Sequence, residues 1–365
     1  MTYPSPIQKT LEQFELSIDV ENETENRAGA ATGTFQSQAL TEFLAWGDDG
    51  CFVVATTGVV ELEYAAIRKG AGVFDAPCRG TIKLTGEDRL TSVGSLITQK
   101  VDDMKVGDVL LGFITNRKGK IVADVIIRVL CDQVLLDVDI NVTQQLCDHL
   151  KSYIVMEDVS IENITAESHW LWCLGTEINN LAIDGSEVHP LPIELLGVEA
   201  VAFLVNPEEA VSAWELLLEQ GCKPIGWYAL NMARVEQGIP IFMIDFDTSN
   251  LPHETSLLSS RVRFDKGCYL GQEIIARMES LGQPKQKIIK LEMQSDTMPI
   301  SGSQLWADET TSGTPIGVVT SSAISPKHGL LPVVIAMVGK KYNTDETKVF
   351  THVGNEVVEA TVKPL

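Results

Sequence analysis

The chain has 365 residues, of which 44% are hydrophobic, and carries a formal net charge of −22 at pH 7. This length predicts two or three domains with a sizeable core. The excess of carboxylates argues against a nucleic-acid binder and against a polybasic membrane anchor, because both need a basic face.

The N-terminal part of the sequence contains few residues that a core would bury. Residues 21–38, ENETENRAGAATGTFQSQ, are polar and rich in Gly, Ala and Thr. Such a composition is typical of a flexible segment. We therefore predict a flexible N-terminal segment over residues 1–39 and a folded chain from about residue 40.

The next stretch predicts a mixture of helices and strands. A helix is expected over residues 61–69, with Leu62, Ala65 and Ala66 on its apolar face and Gly70 after it. Further elements follow in order: a strand over 81–84, a helix over 86–96, a hairpin of 109–115 and 121–130, a strand over 133–138, and a helix from an Asn141 cap to about 153.

The second half repeats this layout and then changes character. Strands over 170–174 and 201–205 precede a helix over 207–220, so strand, strand, helix occurs twice and indicates an α+β fold. Short apolar runs separated by turns predict a terminal antiparallel barrel; they lie at 288–293, 303–306, 314–320, 333–338 and 357–362. The expected domains are 40–155, 156–286 and 287–365.

The cysteines and the N-terminus indicate a reduced, cytoplasmic protein. The seven cysteines are scattered and form no C-x-x-C pair, which argues against a zinc knuckle or a self-contained iron–sulfur site. The first residues lack the basic start and apolar core of a signal peptide. No window reaches the roughly 18 apolar residues of a membrane span. No membrane association is therefore expected.

The most informative run is KGCYLGQE, residues 266–273. Its glycines let the backbone turn or approach a ligand closely. Lys266 would favour the thiolate of Cys268, which is the reactive form. The alternative is a glycine turn around a small buried cysteine.

This run resembles the signature KGCYxGQE of the YgfZ-type folate-binding proteins, which are relatives of the glycine-cleavage T-protein, an aminomethyltransferase. Other segments resemble the family in the same order; they are residues 64–75, 80–88, 119–125, 234–240 and 317–322. The resemblance implies two interleaved ferredoxin-like α+β domains plus a C-terminal antiparallel β-barrel, set around a hole that takes tetrahydrofolate.

Two carboxylates are candidates for the folate site. The resemblance implies that Glu236 holds the pterin ring, since a carboxylate accepts two planar hydrogen bonds; an ion pair with Arg234 is the alternative. Asp124 lies in an apolar strand, where an unpaired charge is costly. The T-protein carries two adjacent aspartates there, whereas this chain has Ala123-Asp124, and Asp124 pointing to solvent is the alternative.

The remaining candidates surround the cysteine or follow the central strand. Cys268, with Lys266 and Tyr269 in its loop, is a candidate catalytic residue that could attack an electrophile, take part in thiol exchange or share a cluster with a partner. Arg261 and Arg263 alternate, so both are expected on one side, where Arg263 suits a folate tail. The resemblance places polar ligand contacts near Asp137 and Asp139, and Arg234 beside the pterin. No histidine shows metal-ligand spacing.

Two functions are compatible with this pattern. The first is a tetrahydrofolate-binding protein that assists iron–sulfur cluster assembly or repair, with iron–sulfur client or assembly proteins as partners. The alternative is a folate-dependent aminomethyltransferase of the T-protein type. The KGCYLGQE run favours the first, and the missing second aspartate argues against the alternative. The sequence leaves open whether the protein is an enzyme.

Overall fold

The computed structural model describes residues 4–13, 41–47, 50–363 and 365. The flexible stretch predicted over 21–38 lies outside these residues. Residues 4–13, which the prediction also placed in the flexible segment, instead pack onto the protein. Ile7 and Leu11 are four residues apart, so one turn of helix buries both side chains, and Ser5 Oγ donates to Asp75 Oδ2 over 2.5 Å.

Nine helices and eighteen strands lie in the described part of the chain. The helices are α1 (Gln8–Glu12), α2 (Val60–Lys69), α3 (Arg89–Gly94), α4 (Thr143–Tyr153), α5 (Ile193–Leu196), α6 (Ala210–Glu219), α7 (Trp227–Glu236), α8 (Leu258–Arg261) and α9 (Gln272–Leu281). The strands are β1 (Glu42–Trp46), β2 (Cys51–Thr56), β3 (Ala71–Asp75), β4 (Arg79–Thr85), β5 (Val109–Thr115), β6 (Ile121–Val129), β7 (Gln133–Asp139), β8 (Ser160–Asn163), β9 (His169–Gly175), β10 (Val188–Leu191), β11 (Ala200–Val205), β12 (Lys223–Pro224), β13 (Gln286–Met293), β14 (Gln304–Trp306), β15 (Gly317–Ser325), β16 (Leu331–Gly339), β17 (Lys348–Val353) and β18 (Glu356–Lys363).

The first five-stranded sheet has the order β5-β6-β7-β4-β8, and its neighbours are antiparallel. Its outer face packs against α4, which buries Leu146 and Leu150 in the largest apolar core. The hairpin of β5 and β6 was predicted from its polar connection. The helix α4 starts after a short 3₁₀ turn in which Asp139 is the capping residue and accepts from the amide of Asn141, so Asn141 is not itself the cap.

The second five-stranded sheet has the order β10-β11-β9-β3-β12. Its strand β3 precedes the whole first sheet in the chain, yet it pairs with β9. Every residue of β3 is buried, which suits an interior strand. The chain therefore does not divide into two domains at a single point near residue 155. The early elements β3 and α2 pack with β9 and α7 from the later part of the chain.

The helix α2 turns a different face inward from the one predicted. Tyr64 and Ile67 are buried, whereas Leu62 is 51% exposed. The side chains of α2 that are buried are those that face α7 and β9, and a leucine on another face stays exposed. The predicted helix over 86–96 is confined to α3.

The C-terminal region is a closed six-stranded barrel in the order β13-β16-β15-β14-β17-β18. The predicted antiparallel barrel is confirmed, although β17 was missed because Lys348, Thr351 and His352 interrupt its apolar pattern. No helix in the described residues is long and apolar enough to cross a membrane.

Candidate functional site

The inner face of the first sheet carries buried charged side chains among apolar ones. Along β6, Ala123, Val125 and Ile127 enter the apolar core on the outer face. Since side chains alternate along a strand, Asp124 and Arg128 face the other way, toward the second sheet. The sequence therefore builds a layer of charges between two sheets.

Asp124 faces inward and is not a solvated surface residue. Its side chain is 10% exposed, and its Oδ1 accepts a 3.0 Å hydrogen bond from Arg261 Nε. Its Oδ2 accepts no hydrogen bond from any residue that the structure describes. Burial raises the pKa of Asp124, and the charges of Arg261 and Arg79 partly offset that effect.

A small enclosed space lies beside Asp124. It measures about 20 Å³, and its walls also include Arg79, Leu195, Ile241 and Phe242. This volume accommodates about one water molecule. The central cleft between the sheets is therefore nearly filled by apolar side chains.

Asp137 lies in the same charged layer as Asp124. It is fully buried and accepts hydrogen bonds from Arg79 Nε at 2.6 Å and Arg128 Nη1 at 3.1 Å. Its neighbour Asp139 instead accepts from Trp46 Nε1 at 3.0 Å. Asp137 thus holds two arginines in place.

Glu236 is saturated by protein partners. Its Oε2 accepts from Tyr64 Oη at 2.7 Å and from Arg68 Nη2 at 2.6 Å, and its Oε1 accepts from Ser325 Oγ at 2.6 Å. No oxygen remains for two bonds to a pterin ring, so the implied role does not fit. The residue joins α2, α7 and the barrel.

Arg234 does not pair with Glu236, so the alternative ion pair is also wrong. Its guanidinium donates to Asp245 Oδ2 at 2.7 Å and to Ser321 Oγ at 2.6 Å, and it is fully buried. This arrangement ties α7 to the barrel rather than to a ligand.

The KGCYLGQE loop packs against the largest apolar core. Tyr269 is buried in that core, and Lys266 Nζ donates to the carbonyls of Gly94 and Ile97, both at 2.7 Å. Asp124 accepts its hydrogen bond from Arg261 and none from the described residues of this loop.

Cys268 itself is exposed, as is Cys131, whereas the other five cysteines are buried. Lys266 is turned toward carbonyl oxygens, and Arg263 pairs with Asp265 on the surface. Neither cation contacts the thiol by a hydrogen bond. The prediction that Arg261 and Arg263 share one side is wrong, since Arg261 is buried against Asp124.

The end of this loop has a strict backbone requirement. Gly271, which precedes α9, has φ +84°. A Cβ at this position would lie 2.4 Å from the carbonyl oxygen of Asn116. Glycine is therefore needed where the loop meets the β5–β6 hairpin.

Sequence reasoning missed Arg79 and Arg128. Arg128 is a charged residue in an otherwise apolar strand, which is the signal that singled out Asp124, whereas Arg79 begins a strand that also contains Thr81 and Lys83 and gives no such signal. Arg128 is 1% exposed, and its Nε and Nη2 find no partner among the described residues. The described residues contain no group of three or more side chains able to hold a metal ion.

Comparison with known proteins gives a consistent result. Residues 28–181 match the family profile of the GCVT N-terminal domain. An aminomethyltransferase of Thermoanaerobacter pseudethanolicus is 27% identical over 72% of this chain and 77% of its own length. A probable aminomethyltransferase of Halobacterium salinarum is 26% identical over 89% of this chain and 93% of its own length.

A solved structure shows the same fold. The crystal structure of glycine cleavage system aminomethyltransferase T from Bartonella henselae superposes with a TM-score of 0.79, at 19% identity, over 89% of this chain and 93% of that one. These matches show that residues 28–181 are similar to the GCVT N-terminal domain and that the fold is similar to that of the Bartonella protein.

Proposed function

We propose that this protein binds a reduced folate in the cleft between the two five-stranded sheets and handles a one-carbon unit there, as a folate-dependent aminomethyltransferase does. The observation that carries this proposal is Asp124, an inward-facing carboxylate with one oxygen free of described partners. The names of the relatives favour this activity over iron–sulfur cluster assembly.

The chemistry follows from the setting of Asp124. Tetrahydrofolate, when bound, supplies a ring nitrogen that accepts a one-carbon unit. Burial raises the pKa of the Asp124 carboxyl, which favours its use as a proton donor or acceptor in catalysis. Asp124 would hold or move the proton at that nitrogen, while Arg261 keeps the carboxylate oriented.

The ligand must displace protein to enter. The space of about 20 Å³ beside Asp124 is filled on one side by Pro240, Ile241 and Phe242. Gly238 has φ +70° and Met243 has φ +68° at the two ends of this segment. A left-handed conformation is unfavourable for methionine, so the segment stores strain that a rearrangement would release.

Hydrogen exchange tests this entry route. Adding tetrahydrofolate should change amide exchange within residues 238–246, because their side chains close the cleft. Unchanged exchange there, at a concentration that saturates the protein, would place the ligand elsewhere.

Calorimetry with tetrahydrofolate tests the role of Asp124. A hydrogen bond to a charged group contributes about 1.5–3 kcal/mol, so Asp124→Asn should weaken binding about ten- to hundred-fold. The exposed Asp103 provides a matched control, and Asp103→Asn should leave the affinity unchanged. Equal affinity of wild type and Asp124→Asn would remove Asp124 from the site.

We also infer that the two five-stranded sheets correspond to two interleaved ferredoxin-like units, followed by the barrel over 287–365. The pairing of β3 with β9 supports this arrangement.

A second candidate function is assistance to iron–sulfur enzymes, and the exposed Cys268 in a firmly anchored loop favours it. Deleting the gene in its host should lower the activity of iron–sulfur enzymes. Wild-type protein and Cys131→Ser should restore that activity, and Cys268→Ser should not. Full restoration by Cys268→Ser would rule out the thiol.

A further inference from the structure

A second pocket lies close to the central cleft and has no role in the proposed folate site. It measures about 210 Å³ and is lined by Arg79, Thr165, Ser168 and His169, with proline side chains forming much of the remaining wall. Arg79 also borders the space at Asp124. One guanidinium therefore separates the two cavities.

The guanidinium of Arg79 is held rigidly but is only partly used. Its Nε donates to Asp137 at 2.6 Å, and its Cζ lies 5.4 Å from the centre of the Trp172 ring. The two terminal nitrogens, Nη1 and Nη2, make no hydrogen bond to any described residue. A fixed, planar pair of donors suits a carboxylate.

The charges around the pocket point to an anion. Among the described residues that line it, Arg79 and His169 are the ionisable side chains, and none is a carboxylate. The nearby Asp75 is already engaged by Ser5 Oγ at 2.5 Å and His169 Nε2 at 2.6 Å. The guanidinium of Arg79, whose terminal nitrogens have no described partner, attracts an anion locally, against the overall net charge of −22.

We propose that this pocket binds a small carboxylate without an amino group, of the size of a 2-hydroxy acid, through Arg79. The volume of about 210 Å³ has room for a small organic acid. The described residues that line the pocket include no Asp or Glu that could bind an ammonium group. Thr165 Oγ1 is engaged by Thr81 N and Asn163 Oδ1, whereas Ser168 Oγ, which donates to the carbonyl of Ile164, can still accept a hydrogen bond from a ligand hydroxyl.

Saturation-transfer NMR with lactate, lactamide and alanine tests the ligand class in the full-length protein. Lactate should give a signal at least five-fold stronger than either of the others, because lactamide lacks the charge and alanine adds an amine. Equal signals from lactate and lactamide, or no lactate signal at millimolar concentration, would refute the proposal.

Two variants locate the signal. Arg79→Met should abolish it, but this change also deprives the buried Asp137 of a partner. Ala166→Trp avoids that problem, since Ala166 is an exposed residue at the pocket and has no contact with the ion pairs. It should fill the pocket and abolish the lactate signal while tetrahydrofolate binding is kept. A lactate signal that persists in Ala166→Trp would overturn the assignment.

Competition separates this pocket from the proposed folate site. Tetrahydrofolate should not displace lactate if the two cavities have separate ligands. Displacement that is lost when the glutamate tail is removed from the folate would assign the pocket to that tail and contradict the proposal. Failure of tetrahydrofolate to bind at all would leave the lactate result unaffected.

Discussion

Replacing Glu236 by glutamine should destabilise the fold rather than remove a ligand contact. The carboxylate is fully buried and accepts hydrogen bonds from Tyr64, Arg68 and Ser325. In Glu236→Gln an amide NH₂ replaces one carboxylate oxygen, so this hydrogen-bond donor lies against other donors among Tyr64, Arg68 and Ser325. The guanidinium of Arg68 also loses the negative charge that neutralises it.

The expected loss is about 3–5 kcal/mol in the free energy of unfolding, which is typical when one partner of a buried ion pair is removed. This is a large part of the 5–15 kcal/mol that holds most proteins folded. The exposed pair of Lys83 and Glu162 provides a matched control. There Glu162→Gln should cost about 1 kcal/mol or less.

Urea unfolding at pH 7 measures the loss of stability in both variants.

The ionisation of Glu236 also predicts that stability depends on pH. Burial pushes its pKa up, but the hydrogen bonds from Ser325 and Tyr64 and the charge of Arg68 outweigh burial and lower it. A lowered folded-state pKa contributes stability above the ordinary glutamate value of about 4.3. Wild type should lose this contribution as the pH falls through the folded-state pKa, and the variant should not.

A stable Glu236→Gln protein with at least ten-fold weaker tetrahydrofolate binding would refute this reasoning and restore the pterin role. Unchanged folate affinity together with lowered stability is the expected result. Combining Glu236→Gln with Arg68→Met should cost less than the sum of the single changes, because the two residues share one interaction.

Three further outcomes are expected. Gly271→Ala should destabilise the protein by about 1–3 kcal/mol in urea unfolding, because its backbone is left-handed; Gly267→Ala, with open space around the added Cβ, is the control and should change little. Iodoacetamide followed by mass spectrometry should label Cys268 and Cys131 before the buried cysteines, and early labelling of a buried one would contradict the structure. Burial lowers the pKa of Lys266 to about 8, and the charge of Asp102 partly opposes this shift. Between about pH 8 and 10.4 the unfolded state therefore binds more protons than the folded state. The free energy of unfolding should rise over this interval in wild type and not in Lys266→Met.

The sequence predicts elements well where local pattern decides them. The β5–β6 hairpin, α6 and most barrel strands follow from alternation, turn residues and caps. The prediction does not extend to which strands pair, because β3 and β9 are separated by the whole first sheet. That pairing depends on long-range burial, which no local window contains.

The site was predicted less well, for a physical reason. Asp124 was singled out because a charge in an apolar strand is conspicuous, and its inward direction fits that choice. Glu236 was assigned to a ligand because a motif does not reveal which neighbours already satisfy a carboxylate. Tyr64, Arg68 and Ser325 come from distant parts of the chain, so only the fold shows that Glu236 is occupied.

The most direct test of the proposed function is a crystal structure of the protein with tetrahydrofolate. The account predicts the ring system in the cleft between the two sheets, in hydrogen-bond contact with Asp124, with the side chains of Ile241 and Phe242 displaced. A folate bound against the Cys268 loop, or density on Glu236 with Asp124 untouched, would contradict it.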